Sequence, residues 1–363
     1  MTQEKPPEAN KDQDLVKSIF ERNKQAPAAK KMSSLFGGAP PAALKTLTVE
    51  KKKTVKELSP VGIELGEGSI SAIQLGKSDG QLEVFKSASK NIQNVRGSIR
   101  QLLSENGMSG DASIGLSAND VQFRILNLPP MPQAEVEGAV EWGVAEALGI
   151  EARRIGDYSL DYAVISPDEM SNRGKKVFVA AVRRDLVAEK MREVAEAGLN
   201  VIAVEPSALA LYAAFCAYSP GVPEASRLTL LLNIGLEASY LVIAVGRDVY
   251  TVQTIVFTEK QLRGALNDGG DVLSQPSASA FENLIVDIEH SYKSVSNQFP
   301  DAGSISLGSI AVSGPGAKQK GISAFLKKTF NIPSEVFDPL KAGTEYAAAV
   351  GLASRGKEED ETL

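Results

Sequence analysis

The sequence contains a single cysteine, Cys216, and a single histidine, His290, among its 363 residues. One cysteine excludes an internal disulfide, which is typical of a chain that folds in a reducing compartment. One histidine leaves no His-rich metal site, and we expect no His-centred catalytic triad.

Long apolar runs are also missing. No stretch approaches the roughly 18 to 20 apolar residues that a membrane-spanning helix needs, and the first residues, Met1–Pro7, lack the apolar segment of a signal peptide. The net charge of -6 argues against bulk binding of nucleic acid. We therefore expect a cytoplasmic protein that reaches a membrane only through a partner.

The first segment differs in composition from the rest of the chain. Residues 1–56 are rich in Pro, Ala and Lys, which predicts a disordered arm. Within it, Asp14–Asn23 has apolar residues at helical spacing. That piece is either a transient helix in a linker or a segment that binds a partner or a membrane surface. Residues 357–363 are predicted to be an acidic tail.

Two glycine-containing β-hairpins organise the remaining chain. Val61–Leu75 is an apolar run, a turn at Gly66–Gly68 and an alternating strand, and Leu230–Ala244 has a similar pattern. After each hairpin the sequence adds a strand and then alternates helices and strands. We therefore predict a duplicated α/β plan with a cleft between two halves.

Glycine turns of this kind can hold phosphate groups. Their backbone N–H groups point at phosphate oxygens, and the missing Cβ lets a phosphate approach closely. A carboxylate at the base of the turn, here Glu64, would hold Mg²⁺ through water. One such hairpin is usually only a turn, but two of them, together with the glycine turn Ser313–Ala317, make a more specific pattern.

A series of sequence blocks follows in a recognisable order: Val61–Gly66, Leu128–Pro132 with Trp142 after it, Val179–Leu186, Ala197–Leu209, Asp287–Ser291 and Val312–Ala317. In this order and spacing they resemble the type IV pilus assembly protein PilM family, which belongs to the actin-like ATPase superfamily and is related to FtsA. The resemblance covers about residues 57–355. It implies an α/β, two-lobed actin-like ATPase fold of duplicated ribonuclease H-like units.

The resemblance also implies domain boundaries. Lobe one would cover residues 57–225, with a small subdomain inserted at about 125–197, and lobe two would cover residues 226–341. Residues 342–356 would form a C-terminal helix that packs back on lobe one.

The family's nucleotide site, for ATP and Mg²⁺, maps by resemblance onto Glu64, Gly66, Ser69, Asn233, Gly235, Ser239, Gly314 and Gly316, with Glu64 on the metal side. Several positions depart from the family pattern. Glu64 and Asn233 stand where Asp is usual, and Ser71 replaces a lysine. Pro315 removes a backbone N–H from the adenosine turn, and the family's glycine pair is not recognisable near Thr258. We expect the fold to be retained and the ATP chemistry to be weakened or lost. Binding without turnover stays open.

The implied function is a cytoplasmic scaffold, peripheral to the inner membrane, in a type IV pilus or type II-like secretion platform. It would bind the short cytoplasmic tail of a PilN-like bitopic protein and through it a PilO-like protein; homo-oligomers stay open. The groove is expected between Leu126 and Val182. The candidate contacts are Leu128, Met131, Val140 and Trp142, which are equally compatible with a plain core.

Two alternative functions remain. A nucleotide-regulated assembly protein, whose partner binding or polymerisation responds to ATP, would use the nucleotide-side positions. A small-molecule kinase would need a general base, for which Glu205 and Asp161 are the candidates. Glu205 is also explained as a carboxylate at a helix N-terminus before Pro206, where the helix dipole favours it. Whether the chain is an enzyme stays open.

Overall fold

The computed structural model describes residues 57–78, 81–92, 95–165, 174–219, 227–266, 270–274, 279–297 and 305–355. The predicted arm, residues 1–56, and the predicted acidic tail lie outside these ranges. None of the described helices is long and apolar enough to cross a membrane.

Strands and helices alternate along the described chain much as the hydrophobic pattern predicts. The strands are β1 (Glu57–Gly66), β2 (Ser69–Ser78), β3 (Gln81–Asn91), β4 (Asp111–Leu116), β5 (Gln122–Leu128), β6 (Tyr158–Val164), β7 (Lys175–Arg183), β8 (Asn200–Pro206), β9 (Leu228–Asn233), β10 (Ser239–Val245), β11 (Asp248–Ile255), β12 (Leu307–Ser313) and β13 (Ser334–Val336). The helices are α1 (Val95–Glu105), α2 (Gln133–Leu148), α3 (Arg184–Glu196), α4 (Ser207–Tyr218), α5 (Glu259–Ala265), α6 (Ser279–Ser296), α7 (Ile322–Phe330) and α8 (Ala347–Ser354).

Two five-stranded sheets repeat one plan. Sheet 1 has the strand order β3-β2-β1-β4-β8, and sheet 2 has the order β11-β10-β9-β12-β13. In each sheet three strands form an antiparallel meander, and two further strands add in parallel beside the first strand of the hairpin. This is the duplicated α/β arrangement that the two hairpins predict.

Sheet 2 lies at the centre of the largest core. Every residue of β9 is buried, and so is every residue of β10 except Val245. A strand covered on both faces has a continuous apolar sequence rather than an alternating one, which explains the Leu-rich run at Leu228–Leu232. Helices α4 and α6 both pack on β10.

Helix α8 crosses sheet 1 through close backbone contacts. A Cβ atom at Gly62 of β1 would lie 2.1 Å from the carbonyl oxygen of Ala349, and one at Gly351 would lie 2.0 Å from that of Ala210 in α4. Only glycine permits these approaches, because any side chain would overlap backbone atoms. The last described helix therefore packs against the first strand and against α4.

A third sheet, with the order β5-β7-β6, is inserted between β4 and β8. Helix α2 covers one face with a buried stripe at i, i+4 and i+8, formed by Val136, Val140 and Val144. On this sheet the rings of Phe123 and Phe178 stack at 5.7 Å and pack with the core around sheet 2. The hydroxyl of Tyr250 in β11 donates to the carbonyl of Ile165 at 3.0 Å, so the insert is fixed to lobe two.

Helix α3 follows the insert but packs elsewhere. Its buried residues Val187, Met191 and Val194 belong to the core cluster of sheet 1. By its packing, the inserted unit ends near Arg183, earlier than the residue 197 implied by resemblance.

Candidate functional site

The turns of the two long hairpins meet at the cleft between the lobes. In β1-β2, Gly66 pairs with Ser69, and Gly68 adopts a φ of +76°, a conformation that favours glycine. In β9-β10, Asn233 pairs with Tyr240. The predicted hairpins are therefore present, and both turns face one small cavity.

That cavity, called the cleft below, collects most of the predicted nucleotide-side residues. Its lining includes Glu64, Gly66, Ser69, Asn233, Gly235, Ser239 and Gly314. Gly316 is not in the lining, because it packs on Ile234: a Cβ there would lie 2.2 Å from Ile234 Cγ2. The cleft has a volume of about 40 Å³, which is room for about three water molecules.

Glu64 is the titratable group of greatest interest in the cleft. Burial raises the pKa of Glu64 from 4.5 to about 7, because a desolvated carboxylate resists ionisation. Tyr240 lies close by in lobe two, and its pKa is raised by burial and then by the charge of Glu64. The Tyr240 hydroxyl is buried and has no hydrogen-bond partner among the described residues.

Three backbone donors of the glycine turns already have partners within the protein. Gly235 donates its N–H to Ser239 Oγ at 3.0 Å, Gly314 donates to the Thr344 carbonyl at 3.1 Å, and Gly316 donates to the Ile234 carbonyl at 2.9 Å. Residue Pro315 has no N–H. These three N–H groups are therefore not free to bind a phosphate.

The lining of the cleft is acidic, although Lys318, outside the lining, pairs with Glu345 at 2.6 Å. Glu64, Glu67 and Glu345 contribute to its lining, and no Lys, Arg or His occurs among the described residues that line it. Within the described part of the chain, no three His, Cys, Asp or Glu residues are grouped closely enough to hold a metal ion. A nucleotide needs several hundred cubic ångströms and positive or N–H groups around its phosphates. The residues present do not fit MgATP.

A second, larger cavity lies beside the first hairpin and is called the side groove. It is lined by Leu65, Gly66, Glu67, Gly68, Ile70, Ile92, Ser117, Asp120, Leu186, Lys190 and Glu237, and its volume is about 550 Å³. Its apolar residues come from β1, β2, the end of β3 and α3. Burial raises the pKa of Asp120, and the positive charge of Lys190 opposes that shift.

Glu205 lies away from both cavities, at the end of β8. Its carboxylate is 3.0 Å from Arg355 Nη2, just after α8, although the geometry makes no hydrogen bond to either oxygen. Burial raises the pKa of Glu205, Arg355 lowers it and Asp161 raises it slightly. Neither Glu205 nor Asp161, the candidate kinase bases, is in the described lining of the cleft.

We predict that Arg355→Gln costs about 1 to 2 kcal/mol of unfolding free energy at pH 8, because it leaves a buried carboxylate without a counter-charge. The loss of unfolding free energy should be smaller than for a fully buried ion pair, because the Arg355 side chain is 47% exposed and solvent screens its charge. The cost should be smaller at pH 5 than at pH 8, because burial raises the pKa of Glu205 and a falling pH therefore favours the protonated carboxyl, which needs no counter-charge. Urea unfolding at both pH values measures it, with Arg355→Lys as the charge-retaining control. An equal loss at both pH values contradicts the ion-pair explanation.

The predicted partner contacts separate into two kinds. Val140 is 1% exposed in the core of the insert, so it is not accessible to a partner. Leu128 and Met131 are partly buried against the same core. Trp142 is 66% exposed on α2, so it is not part of a plain core. Of the four, only Trp142 presents a large free surface.

Sequence reasoning missed several features of this region. Tyr240, Glu67 and Glu345 line the cleft, and none of them was predicted. Helix α5 was also missed, although its capping box, in which Thr258 and Gln261 exchange hydrogen bonds, is a recognisable S/T-x-x-E/Q signal.

The sequence model of a family described as type IV pilus assembly protein PilM matches residues 62–284. The structure resembles that of PilM in a PilM-PilN type IV pilus biogenesis complex, with a TM-score of 0.64, 22% identity, and coverage of 82% of this chain and 98% of that chain. At this identity the likeness shows the fold, which is that of the actin-like ATPases.

Two weaker likenesses accompany it. The ethanolamine utilization protein EutJ from Carboxydothermus hydrogenoformans has a TM-score of 0.46 and 13% identity, covering 93% of this chain and 98% of its own. The cytoplasmic domain of EpsL, an inner membrane component of the type II secretion system of Vibrio cholerae, has a TM-score of 0.45 and 14% identity, covering 81% and 94%. Neither bears on function, and no curated protein matches the sequence. The family match extends over more than half of the sequence, and the chain belongs to the type IV pilus assembly protein PilM family.

Proposed function

We propose that this chain is a scaffold of the inner-membrane platform of a type IV pilus or a type II-like secretion machine. It holds the short cytoplasmic tail of a PilN-like bitopic protein, and it stays at the membrane through that partner. Family membership supports the general role. The observation that carries the binding function is the side groove, whose volume of about 550 Å³ lies in the range of ligand sites.

The floor of the side groove suits an extended apolar segment. Leu65 and Ile70 of the first hairpin are already buried, so the accessible apolar surface comes from Ile92 and Leu186, which are partly buried beside the sheet 1 core. Apolar side chains of a peptide would lose water on this floor, at a gain of about 25 cal/mol per Å² buried. Pockets for alternate side chains are the usual basis of specificity for extended peptides.

The charge of the groove favours a basic occupant. Its lining carries three carboxylates, Glu67, Asp120 and Glu237, and one cation, Lys190, which itself pairs with Glu193 at 3.5 Å. Cytoplasmic segments next to a membrane-spanning helix carry an excess of Lys and Arg. A tail with apolar anchors and positive charge therefore matches the groove in both respects, and the match steers association.

The proposal is tested by titrating the purified full chain with a synthetic tail of a PilN-like protein from the same genome. We expect saturable binding, and we expect Glu237→Lys and Leu186→Asp each to weaken it about tenfold or more, which corresponds to about 1.4 kcal/mol. Salt should weaken the wild-type interaction more than that of Glu237→Lys, because one attractive charge is gone.

Two control variants locate the site. Glu141→Lys makes the same charge change on exposed α2, and Trp142→Ala removes the exposed aromatic there; both should bind as the unchanged chain does. Loss of binding in Trp142→Ala with no effect of the groove variants would move the site to α2. No binding of the tail to the unchanged chain would reject the PilN-like partner.

A further inference from the structure

We infer that the cleft is a permanent contact between the two lobes and takes up no nucleotide, although the fold is that of an ATPase. Four independent observations carry this: the hairpin turns touch, the glycine donors are used, the lining is negative and the lobes are joined elsewhere. Each is a property of residues that are present, and each opposes a bound triphosphate.

The two hairpin turns touch each other beside the cleft. Glu237 of lobe two lies against Gly68 of lobe one, so closely that a Cβ at Gly68 would be 2.9 Å from its Cγ and Cδ. In lobe one, Glu67 accepts a hydrogen bond from Asn119. The cleft itself has a volume of about 40 Å³, an order of magnitude below that of ligand sites. The adjoining side groove is larger, but its lining carries three carboxylates and one cation, which does not suit a triphosphate.

A phosphate group would also have to compete for donors. The N–H groups of Gly235, Gly314 and Gly316 are bonded to Ser239, Thr344 and Ile234. Releasing a buried acceptor from its donor leaves it unsatisfied, which is costly. The carboxyl group of Glu64 would add repulsion to a phosphate whenever it is ionised, while Glu345 is paired with Lys318 at 2.6 Å.

The lobes are joined at a distance from the cleft, which keeps it closed. The insert in lobe one packs Phe178 into the core around sheet 2, and Ile165 accepts the hydrogen bond of Tyr250. Opening the cleft by rotation of the lobes would break this packed contact. Close-packed protein interiors do not deform continuously. The contact between the lobes at the cleft, called the seam below, is therefore a fixed part of the fold.

The test is a titration of the full chain with MgATP, MgADP and Mg²⁺ alone, by calorimetry and by the shift of Tm. We expect no saturable heat and no rise in Tm at about 1 mM nucleotide. At that concentration, a nucleotide with a Kd of about 0.1 mM would stabilise the fold measurably. Saturable binding with a Kd below about 0.1 mM overturns the inference.

A double variant tests whether nucleotide is excluded by the contact between the lobes or only by the loss of the family's acidic side chains. Glu64→Asp with Asn233→Asp restores both acidic residues of the family pattern while leaving the donors and the turn contact in place. We expect this variant to bind no MgATP. Binding by the variant would mean that the side chains alone had been lost, and the seam would be rejected.

If the chain binds a PilN-like tail as proposed, a closed cleft makes that binding independent of nucleotide. Affinity for the PilN-like tail should be the same, within about twofold, with and without MgATP at about 1 mM. A change of tenfold or more contradicts the seam. If the tail does not bind at all, the proposed function fails, while the nucleotide titration of the chain alone still decides the seam.

Discussion

Replacing Gly351 by alanine should destabilise the protein by about 3 kcal/mol, even though alanine is the better helix former. In an isolated helix the change would gain about 1 kcal/mol. Here the new methyl group would lie 2.0 Å from the carbonyl oxygen of Ala210, so α8 and α4 would have to move apart. Overpacking of this kind typically costs about 1 to 3 kcal/mol or more. Here the atom that the methyl group would meet belongs to the backbone of α4, which cannot rotate away as a side chain can.

The measurement is urea unfolding of the unchanged chain and the variant, with Gly138→Ala as the matched control. Gly138 is an exposed glycine within α2, and no heavy atom lies within 4 Å of its Cβ position. The control should therefore gain about 0.5 to 1 kcal/mol. If both variants gain stability, the two helices do not cross as closely as the structure has them.

Replacing Glu64 by glutamine should remove a large pH dependence of stability. The pKa of Glu64 in the folded protein is about 7, compared with an ordinary value of 4.5. Below pH 4.5 the group is protonated in both states and has no effect. Between pH 4.5 and 7 the unfolded chain releases its proton first, so stability falls as the pH rises, by about 3 kcal/mol in all.

Glu64→Gln should therefore be more stable than the unchanged chain by an amount that grows from pH 4.5 to pH 7 and levels off above it. Tyr240, Glu67 and Glu345 are the other titratable groups that face or line the cleft, and they stay in place. Urea unfolding at half-unit pH steps measures the difference, with Glu141→Gln on exposed α2 as a control that should follow the unchanged chain. A difference that does not vary with pH means that Glu64 is solvated or paired.

The order of elements was predictable because hydrophobic spacing is a local property. Both hairpins and the alternation of helices and strands after them follow from periods of 2 and 3.6 residues. Packing partners are not local, which is why Val140 could be proposed as a partner contact although it faces the core of the insert. For the same reason the end of the insert depends on where α3 packs, and spacing does not reveal that.

The site was predictable in its backbone and less so in its chemistry. Glycine turns and family resemblance identified seven of the residues that line the cleft, because a turn is encoded by the residues that form it. The closure of the cleft depends on Tyr240, Glu237 and Glu345, which lie in different segments and carry no short motif. Likewise, whether a glycine N–H is free to bind a ligand depends on whether a carbonyl far away in sequence accepts its hydrogen bond, as the Thr344 carbonyl does for Gly314.

The crossing of α8 over sheet 1 also bears on how the protein folds. β1 is the first described strand and α8 the last described helix, so lobe one acquires this cover only after all of lobe two has been synthesised. Until then Ile73 and Leu75, which pack against Ala349 and Val350, have no cover from α8 and offer an apolar surface to other chains. Contacts so distant in sequence form slowly, and such intermediates tend to aggregate. Folding of lobe one on the ribosome should therefore not be complete until α8 has been synthesised. A chain cut before α8 should depend on chaperones.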